Sequence, residues 1–83
     1  MKSKTIKIMG CNTCDEVSLS ILRDNEGNDY VSMTAWHKHP GGGHYIQQID
    51  LWTSEDNDME LLERIIDDIS LTTAEHFAKS YTL

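Results

Sequence analysis

Cys11 and Cys14 are separated by two residues, and His37, His39 and His44 follow around a glycine-rich stretch. Two thiolates at this knuckle spacing, with two imidazoles, complete the tetrahedral donor set that Zn²⁺ prefers. The pair His39-x4-His44 has a usual histidine ligand spacing, so Cys11, Cys14, His39 and His44 are the expected ligands. His37 is the alternative, because His37-x-His39 would put both rings on one face of a strand. A closed four-ligand site of this kind holds a fold together, and the expected cofactor is a structural zinc ion.

The same cysteines admit other chemistry. A dithiol can be redox-active. A metal with a vacant position, and Glu16 or His37 as base, could hydrolyse. The H-x-E…C-x-x-C order of zinc deaminases is missing, and 83 residues leave little room for a cleft. The chain reads as a non-enzyme.

Four strands and a helical segment must position these groups. Thr5–Ile8 forms a short strand leading into the knuckle. From Val17, residues alternate, with Val17, Leu19 and Ile21 opposed to Ser18 and Ser20. Val31, Met33 and Ala35 alternate likewise with Ser32 and Thr34, and a further run spans Tyr45 to Trp52. Asp24-Asn25-Glu26-Gly27-Asn28 suits a three-residue hairpin loop with Gly27 left-handed. That loop sets Ile21 opposite Val31, Leu19 opposite Met33 and Val17 opposite Ala35, all on one face.

Beyond Ser54 the period changes. Met59, Leu62, Ile65, Ile66 and Ile69 recur at three and four, the stripe of an amphipathic helix. Ser54 or Asn57 can cap its start. Thr72-Thr73-Ala74-Glu75 reads as a capping box opening a second helix, although one continuous helix also fits the stripe. The expected fold is α+β: one domain over residues 1–83, with a four-stranded antiparallel meander over 5–53. One C-terminal helix or two short ones over 54–81 cover it. A meander puts its first and third turns at the same end, so the cysteine and histidine turns become neighbours.

Cys11-x-x-Cys14 after a strand, preceded by Gly10, resembles the knuckles of zinc ribbons, in which two hairpin loops each donate a ligand pair. The second pair here is histidine, a departure from that pattern. C-x-x-C after a strand also resembles thioredoxin-like oxidoreductases and heavy-metal-associated domains. Both imply a helix after the pair, whereas residues 15–23 alternate as a strand.

Bulk properties narrow the partners. A chain this short buries only about 60% of its unfolded surface, so a metal staple or a partner helps it. The formal charge is −7. Residues 1–8 carry three lysines, whereas residues 54–83 carry eight acids against Arg64 and Lys79. Such a surface repels phosphate backbones, which disfavours nucleic acid as a partner and favours a basic protein. No apolar run reaches the roughly 18 residues of a membrane span. Lysines at the start precede no apolar stretch, and two cysteines make no disulfide framework, so a reducing cytoplasm is expected. Trp36, Trp52, Tyr30 and Ile46 are expected on the sheet face away from the core, where aromatics among polar groups suit protein contacts. An open sheet edge could pair with a second copy. The expected role is a small acidic, zinc-stabilised binding protein, a regulator or inhibitor.

Overall fold

The computed structural model describes residues 2–81. Four strands, β1 (Ser3–Lys7), β2 (Glu16–Arg23), β3 (Asp29–Lys38) and β4 (His44–Ser54), are followed by α1 (Met59–Asp68) and α2 (Leu71–Lys79). The sheet is antiparallel in the order β1-β2-β3-β4, the meander expected of an α+β chain.

The central hairpin follows from side-chain pattern and turn chemistry together. Val17 pairs with Ala35, Leu19 with Met33 and Ile21 with Val31. Gly27 has φ 85°, and its N–H donates to the Asp24 carbonyl at 3.2 Å. The Asp24 carboxylate accepts from the amides of Glu26 and Asn28, so these donors of the loop are satisfied locally.

The core lies between one sheet face and the helices. Val17, Leu19, Ile21, Val31, Met33 and Ala35 are buried from the sheet, and Leu62, Ile66, Ala74 and Ala78 from the helices. The stripe read from Met59 to Ile69 therefore faces the sheet, with Met59, Ile65 and Ile69 packed at its margin. Lys4 reaches across from β1, donating to the carbonyls of Ile66, Asp67 and Ile69 at the end of α1. A cation at this end also favours the negative pole of the helix dipole.

Among the described residues there are two helices, not one. Ile69 is extended, and Ser70 caps α2 by accepting the Thr73 amide. The cap therefore falls two residues before the Thr72 box. At the start of α1, Asp58 caps by accepting the Leu61 amide, in place of Ser54 or Asn57. Asn57 has φ 51° and is used otherwise: its side chain accepts from the Asp29 amide and donates to the Gly27 carbonyl. Ser54 accepts from the Asp58 amide. All three residues stabilise the turn, each at a different donor.

β4 departs from simple alternation. A register shift opposite Val31 and Ser32 leaves Leu51 as an extra residue. Val31, on the core side, pairs with Trp52. Trp52 therefore turns toward the helices and packs half-buried against the core, not onto the far face where strict alternation puts it.

Candidate metal centre

The first turn is a tight loop. The Ile8 amide donates to the Asp15 carbonyl, and Gly10 has φ 79°. The loop is tied to the end of β3, where the Lys38 amide donates to the Thr13 carbonyl at 2.7 Å. This tether brings Cys11, Thr13 and Cys14 beside His37.

The ligand atoms of Cys11, Cys14 and His37 lie within 4.8 Å of one another, close enough to hold a metal ion. Cys11 Sγ and Cys14 Sγ are 3.5 Å apart. His37 is fully buried and Cys14 is buried, whereas Cys11 is partly open.

The orientation of His37 follows from its neighbours. Gln47 Nε2 donates to the Phe77 carbonyl at 2.9 Å and to Ser80 Oγ at 3.0 Å, so Gln47 Oε1 is the atom facing His37 Nε2, at 2.8 Å. A carbonyl oxygen only accepts, and His37 Nε2 therefore carries the proton. Nδ1 is left with its lone pair toward Thr13 Oγ1, 2.6 Å away. Thr13 Oγ1 is also 3.5 Å from Cys11 Sγ. Tyr81 stacks on the imidazole, with ring centroids 4.1 Å apart and planes 12° from parallel. His37 is thus held on both nitrogens and on one ring face, with its Nδ1 lone pair aimed at the cysteine turn.

The two thiols differ. Burial pushes Cys14 up from 9.0 to about 12, with the hydrogen bond and charge of Cys11 and the charge of Asp15 adding to it. Burial also raises Cys11, but hydrogen bonds from the Thr13 hydroxyl, the Thr13 and Cys14 amides and the Cys14 thiol outweigh it. Cys11 is lowered to about 7. Cys11 Sγ, Thr13 Oγ1 and His37 Nδ1 thus form one hydrogen-bonded chain, with the threonine hydroxyl between the thiol and the imidazole. Thiolate formation is what metal ligation needs.

The other sequence-derived ligands do not join this group. His39 belongs to the last hairpin turn, where its Nδ1 accepts the Gly41 amide and its ring lies 5.0 Å from Tyr45. His44 is exposed and meets Trp36 edge-on at 6.1 Å. His44 pairs with Lys38, one residue out of phase with inward-facing His37, and so lies on the outer face. The third residue of the group comes from the strand itself, so the donors that come together are not those of two hairpin tips, as the ribbon-like turns led one to expect. His37 instead continues the inward series Val31, Met33, Ala35, a signal already present in the alternation. Gln47 lies at an inward position in β4, opposite Ala35. A polar residue there signals a required partner, but only the fold identifies it as His37.

On the outer face Trp36 pairs with Ile46, and both are more than half exposed. An open cavity of about 520 Å³ beside Trp36 is lined by Lys7, Cys14, Glu16, Ser18, Lys38 and His44, among others. Tyr30 shares this face but is half-buried six residues along β3, about 20 Å away at strand rise. Trp52 is on the other side. The four residues expected to form one surface reduce to one exposed pair and two separate positions.

No described helix is long and apolar enough to cross a membrane. Compared with protein-family models, curated proteins and solved structures, the chain matches none.

Proposed function

We propose that the chain is a small zinc-stabilised binding protein that acts as a regulator or inhibitor through protein contacts, without catalysis of its own. The observation that carries this reading is the convergence of Cys11, Cys14 and His37, with the imidazole already held in the ligating tautomer. Two thiolates and an Nδ1 donor suit Zn²⁺ in chemistry and would supply three of the four positions of its tetrahedron. The Gln47 carbonyl on the remote N–H is the kind of outer contact that fixes a ligating histidine. Zinc there would tie the first turn to β3, and through Gln47 to the end of α2, in a chain with a small core.

The contact surface follows from exposure. Trp36 and Ile46 stand out of an otherwise Ser-, Thr- and Gln-rich face, beside a concavity that can seat a partner side chain. A second face is acidic: Glu55, Asp56, Asp58, Glu60, Asp67 and Asp68 are all exposed, which suits a basic protein and disfavours nucleic acid. A reducing compartment such as the cytoplasm would keep both thiols available for the metal.

Zinc titration of the reduced protein, followed by thermal melting with and without chelator, tests the metal. One equivalent of zinc and a chelator-sensitive melt are expected; a protein that takes up no zinc would remove this reading. Capture experiments with wild-type protein and Trp36→Ala then test the contact surface.

A dithiol reading has its own support in the 3.5 Å Sγ separation and the unequal acidity of Cys11 and Cys14. Cys14→Ser separates the two. Under the zinc reading it unfolds the protein or abolishes zinc uptake. Under the dithiol reading it stays folded and loses only reversible oxidation.

A further inference from the structure

The two edges of the sheet are built differently. β1 is five residues long and carries Lys4 and Lys7, with Lys2 just before it, the usual protection of an open edge. β4 is eleven residues long and contains no lysine, arginine or proline. Asp50 is its single acid. Exposed Tyr45 and Ile49 lie on its helix-side face, and Ile46 on its outer face. In a chain of net charge −7, this is the edge on which two copies can approach with least repulsion.

Symmetry leaves few registers. Two copies of one strand pair antiparallel about a two-fold axis normal to the sheet. That axis preserves faces, so opposed residues share parity and the axis falls on a residue. The bulge at Leu51 limits regular pairing to residues 44–50. The centre of that segment is Gln47, and only this centre engages all seven residues.

This register also matches in chemistry. It sets His44 opposite Asp50 of the second copy, and Asp50 opposite the second His44. It sets Tyr45 opposite Ile49 twice, so the exposed apolar residues of the helix-side face cover one another. Ile46 falls opposite Gln48. Centring on 46 or 48 separates His44 from Asp50 and leaves Tyr45 or Ile49 without its apolar counterpart.

We propose that the chain forms a homodimer through β4, antiparallel about Gln47, as a continuous eight-stranded sheet. Both Trp36–Ile46 pairs then lie on the same outer face, making the contact surface bivalent. The proposal does not depend on zinc.

Sedimentation equilibrium of the purified full chain, over a range of protein concentrations, tests it. The wild type is expected to dimerise. Opposing like charges are destabilising in cross-strand pairs, and His44→Asp creates two such pairs by symmetry, so the dissociation constant is expected to rise about tenfold. His44→Lys is expected to tighten the dimer by a similar factor, and the double variant His44→Asp/Asp50→Lys to restore it. Circular dichroism checks that each variant is folded. Because His44→Lys gains association, the test does not rest on variants that merely lose it. A monomer at all concentrations would overturn the proposal, as would a dimer indifferent to all three substitutions.

Discussion

Gln47 Oε1 accepts a 2.8 Å hydrogen bond from His37 Nε2, while the amide nitrogen of Gln47 is held by the Phe77 carbonyl and Ser80 Oγ. This glutamine assigns the imidazole tautomer and links the cysteine turn to the last turn of α2. Its removal tests the site without touching Cys11, Cys14 or His37. Gln47→Leu is expected to weaken zinc binding about 10- to 100-fold, as loss of outer contacts commonly does. Gln47→Glu retains the acceptor for His37 but sets a carboxylate oxygen against the Phe77 carbonyl, so its affinity is expected to fall between Gln47→Leu and wild type. Competition against a chromophoric chelator measures both.

Cobalt substitution reports the ligand set directly. Thiolate coordination gives Co²⁺ an intense near-ultraviolet charge-transfer band, expected with wild type and with His39→Ala or His44→Ala. His37→Ala is expected to lose tight binding, and Cys11→Ser to diminish the band. If His44→Ala rather than His37→Ala abolished binding, the donor assignment would be wrong.

The unequal thiols predict selective alkylation of the metal-free protein. Iodoacetamide is expected to modify Cys11 with a midpoint near pH 7 and to spare Cys14, whose thiol is pushed up to about 12. Thr13→Val removes a hydrogen bond to the thiolate, and the Cys11 midpoint is expected to move toward 9.0. Linkage gives the sign for stability. A thiol lowered from 9.0 to about 7 contributes stability that is fully present above pH 9 and is lost as pH falls through 7. Cys14 acts oppositely, its contribution present below pH 9 and lost as pH rises toward 12. Mass-mapped alkylation and pH-dependent denaturation check these directions.

Asp29 is buried, with Arg23 Nε 2.8 Å from its Oδ1 and the Asn57 side chain on its amide. Arg23 holds this carboxyl below its ordinary 3.8. The ion pair therefore contributes stability above pH 3.8 that is lost as pH falls through the lower folded value. Arg23→Ala is expected to lower the melting temperature at neutral pH, and the difference from wild type is expected to shrink in acid. Thermal melts at neutral pH and below pH 3 decide it.

Leu62 and Ile66 are fully buried under the sheet. Leu62→Ala is expected to cost about 2–5 kcal/mol, a large part of the stability of so small a domain. Chemical denaturation of the metal-free protein measures it. Zinc is expected to offset part of the loss, because its binding free energy belongs to the folded state.

Most of the framework was legible in the residues themselves. Alternation at Val17-Leu19-Ile21 and Val31-Met33-Ala35, joined by a loop with Gly27, defines the hairpin, because side-chain period and turn geometry are local properties. The spacing of Leu62, Ile65, Ile66 and Ile69 defines a helical face for the same reason. Cys11-x-x-Cys14 defines a pair of soft donors at a turn.

Three matters were decided only by the tertiary structure. An extra residue at Leu51 turned Trp52 inward, and a bulge depends on how two strands meet, which neither strand's pattern states. Asp58 took the first helix cap because Asn57 and Ser54 are engaged elsewhere in the turn, and Ser70 the second because the chain is extended at Ile69 and helical from Leu71. His37, not the better-spaced His39 and His44, met the cysteines. Ligand spacing constrains groups that share a loop, whereas this site joins a turn to a neighbouring strand. Which imidazole arrives there depends on strand parity and on the Lys38–Thr13 tether. The sequence alone named the donors' chemistry; the packing of turn, strand and helix end selected which donors share one point in space.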